Sequence, residues 1–238
     1  MLADNADIPP QIGALSSDVQ KPATFRIELL DFIADELPRW RDDADRQSAT
    51  SEPLLTAQLC AYLNDAARHS DGWDILQFRR EEPDERNTGR AIDLVPAPCG
   101  IAISIDGQRY TKYKSLMPIE CKRLPTPTGK DRDVREYVIS QFSTTGGIQR
   151  FKEGHHGAEH TLGAMIGYIQ EETTAVWDER IAVWIDDLAD STAGWSKKDL
   201  LHFMTTDAKL KTARLESSHE RKDSLSEIQI HHLWIEMS

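Results

Sequence analysis

A chain of 238 residues, 39% hydrophobic and 29% charged, can bury one good-sized core, which excludes a disordered or fibrous protein. No apolar run approaches the roughly 20 residues needed to cross a bilayer. The net charge of −12 argues against a general nucleic-acid coat protein.

The opening MLADNADIPPQIG has neither the basic nor the apolar region of an export signal, so a cytoplasmic protein is expected. Cys60, Cys99 and Cys121 form no CxxC pair, which suits a reducing compartment and disfavours a cysteine zinc site. Charge is unevenly spread. Residues 79–152 hold 14 Lys and Arg against 10 Asp and Glu, leaving 14 against 30 in the rest of the chain. That middle segment is a candidate phosphate-facing surface on an acidic body, although charge also fluctuates along any chain.

Residues 1–23, with Pro9 and Pro10 and few large apolar groups, read as a mobile leader, and 24–238 as one domain. Phe25, Leu29, Leu30, Ile33 and Leu37 predict a helix from 24 to about 42. Ser51 is a candidate cap for a second helix running to about 68, with Glu52 and Pro53 in its first turn. Strands are predicted at 73–80, 90–95, 101–106, 110–113 and 116–124, with a turn at Asp106-Gly107. A helical segment should begin near 134 and break at Gly146-Gly147. A buried strand at 161–170 and a helix at 174–189 follow. The pattern closes with a short helix near 197–204 and a hairpin pairing 212–220 with 228–237. This order predicts an α/β layer fold with a mixed sheet.

Three charged residues sit inside apolar strands. Asp93 lies in AIDLV, and Glu120 and Lys122 lie in PIECKRL. Alternate strand residues share a face, so Glu120 and Lys122 point one way while Ile119, Cys121 and Arg123 point the other. Ionised groups in such places are costly unless paired or bound to metal. Two carboxylates can hold Mg²⁺ together with a substrate phosphate, and a lysine can orient a water and stabilise developing charge.

The runs GRAIDLV and PIECKRL, preceded by a helix bearing Glu52, resemble the PD-(D/E)xK nuclease superfamily. Asp93 matches the first acid of its motif, Glu120 the second and Lys122 the lysine; Glu52 looks like the acid that many members carry on the preceding helix. The resemblance covers roughly residues 51–170, with 171–238 as a C-terminal extension. It implies a restriction-endonuclease-like α-β-β-β-α-β core with a mixed sheet, to which an N-terminal helix and a C-terminal β-hairpin are added. It also implies Mg²⁺-dependent hydrolysis of DNA phosphodiester bonds, with Mn²⁺ able to substitute and with Glu52, Asp93 and Glu120 as metal ligands. Ile92 stands where the name-giving proline would be, and the long step from Asp93 to Glu120 must hold an extra hairpin. Asp207-Ala208-Lys209 has the same spacing but no apolar strand around it, and is set aside.

Gln149 and Arg150 are accessory candidates on the segment after the catalytic strand, with Gln141 competing; Arg123, Lys130, Arg132 and Arg135 are candidate phosphate contacts. His155, His156 and His160, and His219, His231 and His232 in the last hairpin, lack a zinc pattern; one or two could border the cleft. With no DNA-reading module in the chain, specificity is expected to come from a protein partner or homo-oligomer, from DNA structure, or not at all. By analogy, a stand-alone nuclease of this size suits an effector of bacterial defence against phage, without a membrane role. Two rivals remain open: a nuclease fold that no longer cuts and serves as a scaffold subunit, and a nuclease acting on RNA or single strands.

Overall fold

The protein is described by a computed structural model covering residues 18–84, 89–144 and 146–238. Most of the leader, including Pro9 and Pro10, lies outside the described residues; its end, Val19–Lys21, is a strand (β1). Helices α1 (Phe25–Arg41) and α2 (Glu52–Arg68) follow, then strands β2 (Leu76–Pro83) and β3 (Ala91–Pro98). A small hairpin, β4 (Ile103–Ile105) and β5 (Gln108–Tyr110), leads to β6 (Ile119–Leu124), α3 (Gly147–Lys152) and β7 (Leu162–Ile169). Helix α4 (Thr174–Ser191) precedes β8 (His202–Asp207), β9 (Thr212–His219) and β10 (Ile228–Glu236).

Seven strands form one mixed sheet in the order β2-β3-β6-β7-β10-β9-β8. Strand β7 is parallel to both β6 and β10, and the outer pairs are antiparallel. All eight residues of β7, LGAMIGYI, are buried, as a strand covered on both faces requires. On one face α1 and α2 seat Leu29, Ile33, Leu37, Leu55, Leu59 and Leu63 against Ile119, Cys121, Ala164, Ile166 and Tyr168. On the other, α4 seats Trp177, Ile181, Ile185 and Leu188 near Met165, Ile169, Ile230 and Trp234. The even-numbered side chains of β6 belong to this second face, which α3 also covers.

The hairpin between Asp93 and Glu120 turns at Asp106 and Gly107, whose φ values of 48° and 76° are those of a tight two-residue turn. It forms a separate three-stranded sheet in which β1 runs parallel to β4. Strand β3 runs beyond the expected end at Val95 through Pro96, whose carbonyl still accepts from the Leu116 N–H at 2.8 Å.

Three expectations change. Ser51 occupies the cap position of α2, but its side chain makes no capping hydrogen bond. The segment from 134 is a series of turns, and α3 begins only after Gly146. The preceding chain folds back over the start of α3: Gly147, Ile148 and Gln149 donate to the carbonyls of Glu136, Tyr137 and Val138 at 2.8, 3.2 and 2.9 Å. Those bonds satisfy the otherwise unpaired first-turn N–H groups of α3. The approach demands glycine, since a Cβ on Gly146 would stand 2.4 Å from the Ile139 backbone and one on Gly147 2.3 Å from Met165 Cε. Third, the helix near 197–204 shrinks to a 3₁₀ turn, Lys197–Asp199, closed by a Ser196/Asp199 capping box. His202 onward pairs with β9 instead, so the C-terminal strands extend the main sheet.

Candidate active site

Strands β3 and β6 lie side by side, paired at Leu94 and Ile119, which brings Asp93 and Glu120 to neighbouring positions. Asp93 Oδ2 accepts the Cys121 backbone N–H at 2.8 Å, tying its carboxylate to the strand that carries the other two residues. Glu120 and Lys122 share a face of β6, as alternation predicts, and Lys122 Nζ lies 2.7 Å from Glu120 Oε1. Cys121 points the opposite way, into the core under α2.

The first turn of α2 delivers Glu52. Its Oε1 is 3.5 Å from Lys122 Nζ, and its Oε2 accepts the Arg123 backbone N–H at 3.0 Å. Helix α3 adds Arg150, whose Nη1 donates to Glu120 Oε1 at 2.6 Å. Of the two accessory candidates, then, Arg150 reaches the cluster. Gln149 turns away to accept from the Ser140 N–H at 3.1 Å and to approach Glu153 at 3.4 Å. Gln141 is exposed, and its backbone N–H bonds Asp133.

Burial sets the electrostatics. The Glu120 side chain is wholly buried, which alone would raise its pKa. Lys122, His156 and Arg150 outweigh that and hold its carboxyl well below the usual range. Burial would likewise lower the Lys122 ammonium, yet Glu120, Glu52 and Asp93 raise it, so it stays charged. For Asp93 the balance goes the other way. Burial, then the charges of Glu120 and Glu52, push its carboxyl up to about 8 against the pull of Lys122 and the Cys121 N–H.

Among the described residues, no three His, Cys, Asp or Glu side chains are grouped closely enough to hold a metal ion as they stand. The donor set nevertheless suits a divalent cation. Asp93 is a carboxyl short of positive charge, while Glu120 has Lys122 and Arg150 at Oε1 and His156 Nδ1 3.0 Å from Oε2. Carboxylate oxygens of this kind are the ligands that Mg²⁺ takes.

No family model, no curated protein and no solved structure matches this chain.

The remaining candidates divide. Arg123 lies beside the cluster through its backbone, while its guanidinium donates to the Thr50 carbonyl at 3.3 Å. Arg132 pairs with Glu136 at 3.1 Å and Arg135 with Asp133 at 3.4 Å, which ties both to local carboxylates; Lys130 is exposed on the same loop. His156 is the residue that sequence reasoning left among several histidines. It is buried, with Nδ1 3.0 Å from Glu120 Oε2. The only signal in the sequence was its place soon after Arg150. His155 lies 3.4 Å from Glu153, and His160 Nε2 3.4 Å from Ser115 Oγ.

The C-terminal histidines do something else. A buried chain runs from Trp234 Nε1–H to Tyr137 Oη (2.7 Å) and from the Tyr137 hydroxyl to His232 Nδ1 (2.8 Å). It continues from His232 Nε2 through Ser217 Oγ (2.8 Å) to His219 Nε2 (2.7 Å), and from His219 Nδ1 to Asp199 (2.6 Å), which also binds Lys152. With both rings neutral, every donor in this chain has one acceptor, and burial does lower the pKa of both His219 and His232. Ser217, His219 and Asp199 have the order of a nucleophilic triad. Ser217 is only 2% exposed and its hydroxyl also meets His232, so the arrangement is structural.

No described helix is long and apolar enough to cross a membrane.

Proposed function

We propose that this protein is a metal-dependent endonuclease that hydrolyses DNA phosphodiester bonds on a restriction-endonuclease-like core. The observation that carries the reading is the convergence of Asp93, Glu120 and Lys122 from adjacent strands with Glu52 and Arg150 from two helices. The order α2-β2-β3-β6-α3-β7 supports the fold assignment, with the β4–β5 hairpin inserted and β8–β10 added.

Glu52, Asp93 and Glu120 would hold Mg²⁺, or Mn²⁺ in its place, and the bound ion would polarise the scissile phosphate and lower the pKa of a water. Lys122, kept charged by its carboxylate neighbours, orients the attacking water and stabilises the negative charge that builds on the phosphoryl oxygens. Arg150 fixes Glu120 and adds positive charge on the same side of the sheet. Such preorganised charge stabilises a transition state without reorganising during the reaction.

The acidic body, net −12, favours delivery to DNA by a protein partner or through self-association over tight binding to free DNA. A cytoplasmic effector of anti-phage defence fits that picture. The test is cleavage of supercoiled plasmid by the full chain with Mg²⁺, Mn²⁺ or EDTA, comparing wild type with Asp93→Ala and Lys122→Ala. Metal-dependent nicking that both substitutions abolish supports the assignment. A folded chain that cuts neither DNA nor RNA with any metal overturns it.

A further inference from the structure

The hairpin inserted between Asp93 and Glu120 leads into a basic, aromatic turn. Residues 107–119 carry Arg109, Lys112 and Lys114 and no Asp or Glu. Arg109 is taken up by Asp18 at 2.6 Å. The two lysines flank Tyr113, whose side chain is 82% exposed. Its position is braced nonetheless. The Lys114 N–H donates to the Thr111 carbonyl at 2.9 Å, and Arg79 Nη1 donates to the Lys112 carbonyl at 2.8 Å. Lys112 Nζ lies 5.1 Å from the centre of the Tyr113 ring, and Lys114 Nζ 5.7 Å from that of Tyr110. An aromatic ring held on an ordered turn, with a cation against one face, offers its other face to a flat partner.

The turn overlooks the same side of the sheet as the acidic cluster. Arg79 stands opposite Val95, and Val95 shares a face of β3 with Asp93. Two residues of strand span about 6.6 Å, so one nucleic-acid strand can lie across the cluster and the turn at once. A hollow of about 280 Å³ lies there, lined by Arg79, Val95, Tyr113 and Lys114 and by the acids Glu82 and Glu159. Glu82 is 3.4 Å from Arg79, which offsets its charge.

Resting on the nuclease reading of the neighbouring cluster, we infer that Tyr113, with Lys112 and Lys114, is a platform that holds an unpaired nucleotide of the substrate strand. The base stacks on the open face of the ring, and the lysines meet the phosphates on either side. Inside a duplex each base face is covered by its neighbours, so the platform selects single-stranded or locally opened substrate. The notebook of charges along the chain agrees with this placement, since Arg132 and Arg135 are tied to carboxylates and the Tyr113 turn carries none.

The test is fluorescence anisotropy of a labelled oligonucleotide with the full chain in EDTA, where no bond is cut. Single-stranded DNA, single-stranded RNA and duplex DNA of one sequence are compared. At least one single strand should bind more tightly than the duplex, and the better of the two identifies the sugar. Tyr113→Ala should weaken that binding about tenfold and leave the duplex within about twofold, while Tyr113→Trp keeps the affinity. Lys112→Ala should flatten its dependence on log salt by about 0.7, as loss of one phosphate contact does. The exposure of Tyr113 makes these variants safe for folding. Duplex bound as tightly as either single strand, or equal losses for single strand and duplex in Tyr113→Ala, overturns the inference; plasmid cleavage by the same preparation with Mg²⁺ then leaves the nuclease reading intact. A folded chain that binds no oligonucleotide overturns the inference too, and if it also cuts no DNA or RNA with any metal the nuclease reading falls with it.

Discussion

Asp93→Asn separates the electrostatic cost of the site from its use. The native carboxyl is pushed up to about 8, against an ordinary value near 3.9. Its folded pKa lies above its unfolded one, so the folded state holds this proton between about pH 4 and 8 while the unfolded state releases it. Stability from this group is therefore greatest at low pH, falls as pH rises through that window, and is flat above it. Four units at about 1.36 kcal/mol each give on the order of 5 kcal/mol, which is an upper figure. Asp93 is only half-buried by surface, and water reaching it reduces the expected cost to roughly 2–3 kcal/mol. Asparagine keeps an acceptor for the Cys121 N–H and removes the charge. In urea titrations with EDTA, the variant should match wild type near pH 4.5 and exceed it by that amount at pH 8.5, while losing cleavage. Parallel stability curves across this range would refute the reasoning, because they would mean that Asp93 titrates alike folded and unfolded.

Asp199→Ala leaves Lys152 and His219 buried without their shared partner and should cost about 3 kcal/mol or more, read as a lower urea midpoint. Gly147→Ala places a Cβ 2.3 Å from Met165 Cε and 2.7 Å from the Tyr137 carbonyl, with an expected loss of about 1–3 kcal/mol; an unchanged midpoint would show that the fold-back over α3 is not tight. Arg150→Ala should lower plasmid cleavage at least about 100-fold, as loss of a charge-stabilising donor does. Its neighbour variant Gln149→Ala, which loses bonds only to Ser140 and Glu153, should cut within about twofold of wild type, and equal losses in the two would contradict the placement of Arg150 alone on Glu120.

Much of this protein can be read along the chain. The apolar repeats of α1, α2 and α4 mark their bounds because each helix buries one stripe, and the unbroken apolar run of β7 marks a strand with no solvent face. Asp93, Glu120 and Lys122 stand out for the same reason: charge is expensive inside apolar strands, so its presence there signals a partner. Which partners it meets is a matter of tertiary structure. Gln149 and Arg150 are adjacent in sequence, and only the docking of α3 under the 136–138 carbonyls decides that Arg150 meets Glu120. His156, one of three closely spaced histidines, reaches Glu120 because of how the chain turns after α3. Residues 197–204 read locally as a short helix, yet from His202 onward the open edge of β9 supplies hydrogen-bond partners that a brief helix would lack. Local periodicity reports what each segment buries. Long-range pairing decides what each buried charge finds there.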